Sequence, residues 1–560
     1  MDALTRVTAG LLLAAAACGG ERETGSAGYD VVLRGGWIAD GTGNPRYQGD
    51  VAIQGDRIVA LGFLGAAQAR ETVAVQGLVV APGFIDMLGQ SETNVLADNR
   101  LLSKVTQGIT TEVTGEGTSV APLTDALAAD DSAAMRKYHY REDWRDLDGY
   151  FAQLARTGST VNIATFVGAT QVRLAVIGKT DRRATTLELA HMVALVDSMM
   201  EQGALGLSSA LEYAPAFYAP TEELTALAKA ARRHGGSYAT HMRNEGGDID
   251  RALGETFAIA QDARIPVEIW HVKISGRLNW GRMPAVLARI DSARAAGLDI
   301  TADQYPYTAA ATSLAASIPA WAHSGGTDSL IARLRDPAIR AHLHHQLAVP
   351  PNKGDRFMRA AGGPTGVLIS AVFEDSLRPL QGKRLSEIAA SRHRDPIETL
   401  FDITIADHAR TGAIYFIMNE PDVQAALKSP LVAMNTDAGG VAPDGPFGAE
   451  GTHPRAYGSA TRILGHYVRD LKLIPLEFAV RKMTSLPARR LGIQDRGLVR
   501  VGMKADLVVF DPVAVRDTAT FEKPAAYPEG ISHVLVNGKP VLLAGKRTRE
   551  RPGRPLLHVR

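Results

Sequence analysis

The 560-residue chain contains a single cysteine, Cys18, which lies close to the N-terminus. The rest of the chain lacks cysteine, so no disulfide bond can hold its body together. It also lacks an uninterrupted apolar run of about 18 residues, and we expect no transmembrane helix in the mature chain. Neither sign of charge is in excess, because 61 Lys and Arg residues face 60 Asp and Glu residues. This balance argues against nucleic acid as the main partner.

The cysteine ends a segment that resembles a bacterial lipoprotein signal. Arg6 precedes the apolar run AGLLLAAAA, which leads directly into Cys18. We therefore predict a lipoprotein-type signal at residues 1–18, lipid attached to Cys18, and a flexible tether at residues 19–28. The protein would then lie in the bacterial cell envelope, periplasmic or on the outer membrane, and contact the membrane only through this anchor. A secretory signal cleaved nearby, which gives a secreted protein, and a misassigned start codon are the alternatives.

Strand-like patterns occur at both ends of the chain and flank a long α/β middle. Short alternating runs such as DVAIQGDRIVALG and ISHVLVNGKPVLLAG predict one β-sandwich subdomain built from residues 29–80 and 490–550. The middle alternates eight candidate strands with helical spans, which predicts a closed (β/α)8 TIM barrel over residues 81–489. The connection between its seventh and eighth strands spans roughly a hundred residues, too long for a simple crossover. It predicts an inserted cap at residues 320–425.

Two histidines end neighbouring candidate strands of this α/β barrel. His241 follows the strand-like run SYAT, and His271 follows IPVEIW about thirty residues later, the length of one βαβ unit. Parallel neighbours bring both imidazoles to the carboxyl end of the barrel, where catalytic groups collect. Imidazole is a preferred zinc ligand. Glu116 and Asp437 follow strands two and eight, so the four side chains predict a site for zinc or a similar divalent ion, with Asp437 suited to act as general base.

A series of motifs extends this pattern along nearly the whole chain. In order they are PGFIDM, GITTEVTGEG, GALGLSSALEYAPAFYAP, YATHMRNEG, WHVK, DQYPYTA, NTDAGG, HPRAYGS, MTSLPARRLGI and DRGLVRVGMKADLVVFDP. Together they resemble the amidohydrolase superfamily and, within it, the D-aminoacylase (N-acyl-D-amino-acid deacylase) branch, from about Asp30 to Gly545. The pairing of GALGLSSALEYAP with HPRAYGS is the most specific to that branch.

The resemblance implies a metal-dependent hydrolase that cleaves the amide bond of N-acyl amino acids, and of N-acyl-D-amino acids in particular. By position, the implied metal ligands are Glu116, His241, His271 and Asp437. Asp437 would also take a proton from the metal-activated water and pass it to the leaving amine. The implied partner is a small-molecule substrate with a free carboxylate, held by Lys273, Tyr305 and Arg455, and Arg suits bidentate carboxylate binding.

One motif departs from the family pattern. Family members carry His-x-His after the first barrel strand, but here the sequence is GFIDMLGQ, with Leu88 and Gln90 at those positions. Leu cannot bind a metal and a neutral amide is a poor zinc ligand, so we predict one zinc ion and a weak or empty second site. A cyclic amide hydrolase or dipeptidase on the same scaffold, and a non-catalytic cell-envelope binding protein, are the alternatives. The acyl group, the side chain and the oligomeric state have no signal in the sequence.

Overall fold

The computed structural model describes residues 28–350, 352 and 356–558. The predicted signal at residues 1–18 and the tether up to residue 27 therefore lie outside the described residues. Among the helices of the described part, none is long and apolar enough to cross a membrane.

The strands are numbered here in chain order. They are β1 Tyr29–Ile38, β2 Tyr47–Gln54, β3 Arg57–Gly62, β4 Ala69–Ala74, β5 Val79–Pro82, β6 Phe84–Asp86, β7 Ile109–Thr114, β8 Asn162–Thr165, β9 Val167–Gly168, β10 Gly206–Ala210, β11 Ser237–His241, β12 Val267–Ile269, β13 Ile300–Gln304, β14 Ala310–Ser313, β15 Val367–Ala371, β16 Gly412–Tyr415, β17 Val432–Met434, β18 Leu507–Phe510, β19 Ile531–Val536, β20 Lys539–Leu543 and β21 Lys546–Arg547.

The α-helices are numbered in the same way. They are α1 Asn94–Ala97, α2 Leu102–Val105, α3 Asp125–Asp130, α4 Ser132–Tyr138, α5 Leu147–Thr157, α6 Ala169–Val176, α7 Thr186–Glu201, α8 Thr221–Arg233, α9 Ile249–Ala263, α10 Met283–Ala295, α11 Thr327–Arg335, α12 Pro337–Ala348, α13 Phe357–Ala360, α14 Leu385–Ser391, α15 Pro396–Ala406, α16 Glu420–Lys428, α17 Arg455–Arg462, α18 Leu476–Met483 and α19 Ser485–Arg490. A π-helical segment, Ile463–Asp470, continues α17.

The predicted (β/α)8 barrel is confirmed. Its parallel strands follow the order β6, β7, β8 continued by β9, β10, β11, β12, β13 and β17. The barrel closes between its first and last strands through a parallel bridge of Gly89 with Ala438 and a hydrogen bond from the Met87 N–H to the Met434 carbonyl at 3.3 Å. All eight strands therefore present their carboxyl ends on one face.

The helices outside the barrel have the pattern of surface helices packed on a core. In α8 the buried positions lie three and four residues apart and include Leu224, Leu227, Ala228 and Ala231. Such spacing places them on one face of the helix. Helix α7 begins with a capping box in which the Thr185 and Glu188 side chains each accept a backbone N–H of the other residue.

The two ends of the chain meet in one β-subdomain, as predicted. A nine-stranded hydrogen-bonded network joins β1 to β5 with β18 to β21, and the antiparallel pair β5–β18 is the link between the two ends. Its apolar core takes residues from both, among them Val31, Val51, Ile58, Leu507 and Val509. The subdomain can therefore form only after both termini have been synthesised.

The predicted insert lies between β13 and β17. It contains a three-stranded antiparallel sheet in the order β14-β16-β15, surrounded by helices α11 to α16. The chain after β21 returns to the opposite, amino-terminal end of the barrel, where the Leu556 N–H donates to the Ile163 carbonyl at 2.8 Å and the His558 N–H donates to the Gly203 carbonyl at 3.0 Å. The cap and the C-terminal tail thus cover opposite ends of the barrel.

Candidate active site

The carboxyl ends of the barrel strands open into a cavity of about 550 Å³. All seven residues predicted from the sequence line this cavity: Glu116, His241, His271, Lys273, Tyr305, Asp437 and Arg455. The insert between β13 and β17 contributes Ala310, Thr312 and Phe357 to the lining. The site is therefore enclosed between the barrel and the insert, as expected for a pocket that excludes water from a small substrate.

Glu116 and the two histidines form a compact group of possible metal ligands. Glu116 Oε1 lies 2.8 Å from His241 Nδ1 and 3.1 Å from His271 Nε2, and the ring centroids are 4.4 Å apart. One ligand atom of each residue lies within 4.8 Å of the other two. The geometry follows from the fold, because β11 and β12 are adjacent parallel strands and both histidines lie at their carboxyl ends.

The charges around this group favour a cation. Burial raises the pKa of Glu116, but hydrogen bonds to His241 and His271 hold it well below its usual value. Burial lowers the pKa of His241, while Glu245, Glu116 and Glu212 raise it to about 10. Three carboxylates thus surround two imidazoles, and Lys273, whose Nζ lies 2.7 Å from Glu245 Oε1, is the ammonium group in contact with them. Two imidazoles and a carboxylate are a donor set that fits zinc or a similar divalent ion.

Two further carboxylates contact the imidazoles, and with His241 they form a second group of possible metal ligands. Glu212 Oε2 lies 3.2 Å from His241 Nε2, and Glu245 Oε1 lies 3.1 Å from His271 Nδ1. A carboxylate on the nitrogen that faces away from the metal fixes the tautomer and the ring plane. The sequence interpretation did not assign these roles to Glu212 and Glu245. The available signal was that both acids follow a barrel strand, β10 and β11, within four residues.

Asp437 lies beside the ligand group and is joined to it by Gln90. Gln90 Nε2 donates to Glu116 Oε2 at 2.6 Å and lies 3.4 Å from Asp437 Oδ1. Asp437 Oδ2 pairs with Arg455 Nη1 at 2.8 Å. The structure therefore brings Glu116, His241 and His271 together as one group of possible ligands and places Asp437 next to it, facing the same cavity.

Two residues of the site have left-handed backbone conformations. The φ angles are +35° at His271 and +46° at Asp437, a region that residues other than glycine rarely adopt. The Asp303 carboxylate holds the first of these turns by accepting the His271 N–H at 2.6 Å. Such strain is typical of functional sites, where surrounding contacts impose it.

The positions that would carry His-x-His have other roles in this chain. Leu88 is fully buried and packs with apolar residues such as Ile85, Val113 and Trp270. The Gln90 amide N–H groups point at the carboxylates of Glu116 and Asp437. Its amide group therefore connects the carboxylates of Glu116 and Asp437 by hydrogen bonds.

The three residues predicted to hold a substrate carboxylate lie together. The Arg455 guanidinium lies 4.5 Å from the Tyr305 ring centroid, and Lys273 Nζ lies 6.0 Å from it. Lys273 Nζ also lies 2.7 Å from Glu245 Oε1 and 2.7 Å from His271 Nδ1. The buried Arg455 Nε has no hydrogen-bond partner among the described residues. Arg455 is thus the group with a donor left for a ligand carboxylate.

Fold and site together define a class of protein. A (β/α)8 barrel with a β-sandwich, and with histidines and a carboxylate at the carboxyl ends of its strands, is the architecture of a metal-dependent hydrolase. The profile of the amidohydrolase family matches residues 71–542. The chain belongs to the amidohydrolase family.

Individual relatives match over nearly the full chain. D-aminoacylase of Alcaligenes xylosoxydans xylosoxydans is 38% identical over 540 residues, which cover 95% of this chain and 99% of the relative. A D-aminoacylase structure is described as having a binuclear metal centre with one-metal activation and second-metal attenuation. It has a TM-score of 0.78 at 36% identity, and the match covers 94% of this chain and 100% of that structure. The structure of N-acyl-D-glutamate deacylase from Bordetella bronchiseptica was solved with zinc and a phosphonate mimic of the tetrahedral intermediate. It has a TM-score of 0.79 at 33% identity, and the match covers 95% of this chain and 100% of that structure.

Proposed function

We propose that the protein is a metal-dependent N-acyl-D-amino-acid deacylase with one zinc ion held by Glu116, His241 and His271. The observation that carries this proposal is the position of Glu116 Oε1, 2.8 Å and 3.1 Å from the two imidazole nitrogens. A general base and an arginine for the substrate carboxylate lie in the same cavity. The preference for the D configuration rests on the relatives, which are named D-aminoacylase and N-acyl-D-glutamate deacylase.

In the proposed reaction, Asp437 carries out the proton transfers beside the metal site. A zinc ion supplies Lewis acidity, which polarises the amide carbonyl and lowers the pKa of water. Asp437 accepts a proton from the attacking water, whose oxygen adds to the carbonyl carbon. Asp437 then donates this proton to the amide nitrogen as the C–N bond breaks, which releases a carboxylic acid and an amino acid. The strained backbone of Asp437 fixes the direction of its carboxylate for both transfers.

Arg455 links substrate binding to the release of this base. Without substrate its guanidinium pairs with Asp437 at 2.8 Å. A substrate carboxylate that docks on Arg455 above the Tyr305 ring competes for the same positive charge. The carboxylate of Asp437 then becomes free to accept a proton, so substrates without a carboxylate leave the base engaged.

The Gln90 contacts support a single ion. Glu116 Oε2 already accepts an amide N–H of Gln90 at 2.6 Å, and this amide would offer a second ion only a weak neutral ligand. Leu88 offers no donor atom, and the described D-aminoacylase relative is activated by one metal. One ion can both activate water and polarise a carbonyl.

Metal content measured by elemental analysis tests this proposal. The protein without residues 1–18 is expected to hold about one equivalent of zinc, and the His241→Ala/His271→Ala variant is expected to hold none. A panel of N-acyl amino acids, dipeptides and cyclic amides then identifies the substrate class. Absence of metal after reconstitution would favour the non-catalytic binding protein, which the missing His-x-His motif supports.

We further propose that Cys18 anchors the protein in the cell envelope. The supporting observation is the apolar run that ends at this lone cysteine. A Cys18→Ser variant is expected to move from the membrane fraction to the soluble fraction. A soluble wild-type protein would favour the secreted alternative.

A further inference from the structure

A second chamber of about 340 Å³ adjoins the active-site cavity. The two spaces share Gln90, Thr118 and Leu174 as lining residues. Since Gln90 also contacts Glu116, the wall between the chambers lies directly beside the reacting centre. A substituent that reaches the second chamber from the active site has to pass these three side chains.

Acidic side chains line this chamber at several depths. Asp130 and Asp131 lie at its exposed end, Glu92 is half-buried and Glu142 is buried. Within the described residues, the four carboxylates make one ion pair, in which Lys179 Nζ lies 2.7 Å from Asp130 Oδ2 at the solvent end. Among the described residues, the carboxyl groups in the interior of the chamber, Glu92 and Glu142, therefore form no ion pair with a lysine or arginine.

Glu142 is a buried residue of the chamber with one carboxylate oxygen that accepts no hydrogen bond from the described part of the chain. Its residue is 8% exposed, and Oε2 has no hydrogen-bond partner among the described residues. Burial and the charge of Asp131 raise the pKa of Glu142 to about 7, although a hydrogen bond with Tyr140 at the carboxyl group lowers it. Buried carboxylates are normally paired, because an unpaired one loses its hydration without compensation.

Glu92 is the second carboxylate in the interior of the chamber. Its Oε1 accepts the Gly115 N–H at 2.7 Å, which orders the carboxylate next to the active site. Burial nevertheless raises the pKa of Glu92 to about 7, and the charge of Glu116 contributes to the rise. Two ordered carboxylates therefore lie in the chamber without a cation.

The remaining lining fits an organic cation better than a metal ion. Val120, Leu123, Leu127 and Trp144 give the chamber apolar walls. Among the residues searched, the four carboxylates do not form a group whose ligand atoms lie within 4.8 Å of one another. Apolar walls with an acidic end match an aliphatic chain that ends in an ammonium or guanidinium group.

We propose that this chamber, which we call the acidic chamber, binds a cationic group of the substrate, so that the enzyme prefers N-acyl-D-amino acids that carry an ammonium or guanidinium. The proposal rests on the proposed deacylase function. The cation can belong to the amino-acid side chain or to the acyl chain. Both sources offer the same chemistry to Glu142 and Glu92.

Matched substrates distinguish the two sources. N-acetyl-D-lysine is compared with N-acetyl-D-norleucine, and 6-aminohexanoyl-D-alanine is compared with hexanoyl-D-alanine. In at least one pair, we expect kcat/KM of the cationic member to exceed that of the neutral member by about tenfold or more. The pair that shows the preference identifies which end of the substrate enters the acidic chamber.

Glu142→Gln is the decisive variant, because it keeps the shape of the side chain and removes the charge. The preference for the cation is expected to fall at least severalfold while kcat/KM for the neutral substrate is unchanged. Asp131→Asn provides a second, exposed change in the same chamber. Asp148→Asn removes an exposed acid outside the chamber and is expected to preserve the preference.

A binding measurement separates this inference from the proposed function. Calorimetry on zinc-loaded Asp437→Asn protein compares the affinities of N-acetyl-D-lysine and 6-aminohexanoyl-D-alanine with those of their neutral partners. Equal affinities and equal rates within both pairs would overturn the acidic chamber even if the neutral substrates are hydrolysed. A preference that survives both Glu142→Gln and Asp131→Asn would also overturn it. Tighter binding of the cations with no turnover by the wild type would retain the chamber and refute the deacylase.

Discussion

At the scale of single residues, Gln90 determines how the metal site differs from the family pattern. A histidine at this position would supply a metal donor, whereas the Gln90 amide supplies N–H groups to Glu116 and Asp437. The carboxylates are thus tied together by hydrogen bonds where relatives are expected to use an ion. Under the proposed function, these hydrogen bonds hold Asp437 near Glu116 without a second metal ion.

Restoring both histidines tests this account of Gln90. In Leu88→His/Gln90→His protein, two imidazoles replace an apolar side chain and an amide donor, so zinc content is expected to rise from about one to about two equivalents. Elemental analysis after dialysis measures the change. The Leu88→Ala/Gln90→Ala variant is the control and should keep one equivalent. A restored variant that still holds one equivalent would show that other residues exclude the second ion.

Glu142 is expected to make stability depend on pH. Its pKa is raised from 4.5 to about 7 in the folded state, so between these values the folded state binds more protons than the unfolded state. The stabilisation is complete below about pH 4.5 and is lost as the pH rises through about 7, by at most about 3 kcal/mol. The Glu142→Gln substitution is expected to remove this pH-dependent fall in the free energy of unfolding.

Guanidinium unfolding at pH 5 and pH 8 measures the effect. The free energy of unfolding of the wild type should fall more steeply over this range than that of Glu142→Gln protein. Asp148→Asn protein should follow the wild type. Identical slopes in wild type and Glu142→Gln would contradict the burial of an unpaired carboxylate.

At the scale of elements, the seam between the first and last barrel strands is closed by a buried lysine. Lys104 of α2 has no exposed surface, and its Nζ donates to Asp86 Oδ2 at 2.7 Å, Thr436 Oγ1 at 2.7 Å and the Ala438 carbonyl at 2.6 Å. Thr436 and Ala438, which supply the last two acceptors, flank Asp437 in the sequence. Lys104 is therefore a positioning residue that holds the strained turn of Asp437, the proposed general base.

Lys104→Met is expected to affect stability and catalysis together. It leaves Asp86 buried without its cation, which costs about 3–5 kcal/mol. It also loosens Asp437, so kcat should fall about ten- to a hundredfold while zinc content stays at the wild-type value. Lys229→Met, an exposed change on α8, is the control. An unchanged kcat in a destabilised Lys104→Met protein would limit the role of Lys104 to folding.

The elements also show what the sequence could predict. Alternating strands and helices, with polar residues at the ends of the second, fifth, sixth and eighth strands, were enough to predict the barrel and the face on which Glu116, His241 and His271 meet. The β/α topology fixes both. The direction of each side chain beyond the strand ends was not predictable. Glu212 and Glu245 turn toward the imidazoles through loop conformations, and hydrophobic periodicity carries no information about them.

At the scale of the whole molecule, the cap and the β-sandwich have separate effects on the site. The cap covers the cavity, while β5 of the N-terminal part pairs with β18 of the C-terminal part and leads directly into the first barrel strand. The two ends of the chain thus fix the start of β6, from which Gln90 follows. The length of the insert was visible in the sequence, but the acidic chamber was not, because its carboxylates come from three separate loops and helices.

We propose above that this protein hydrolyses N-acyl-D-amino acids with Asp437 as the general base. The most direct test is amine release from N-acetyl-D-methionine and N-acetyl-D-lysine, beside their L enantiomers, by zinc-loaded protein. We predict hydrolysis of the D substrates, much slower hydrolysis of the L substrates, and a loss of about 10²–10⁴-fold in Asp437→Asn protein that retains its zinc. No turnover of any substrate by zinc-loaded wild type, or full activity of Asp437→Asn, would contradict the account.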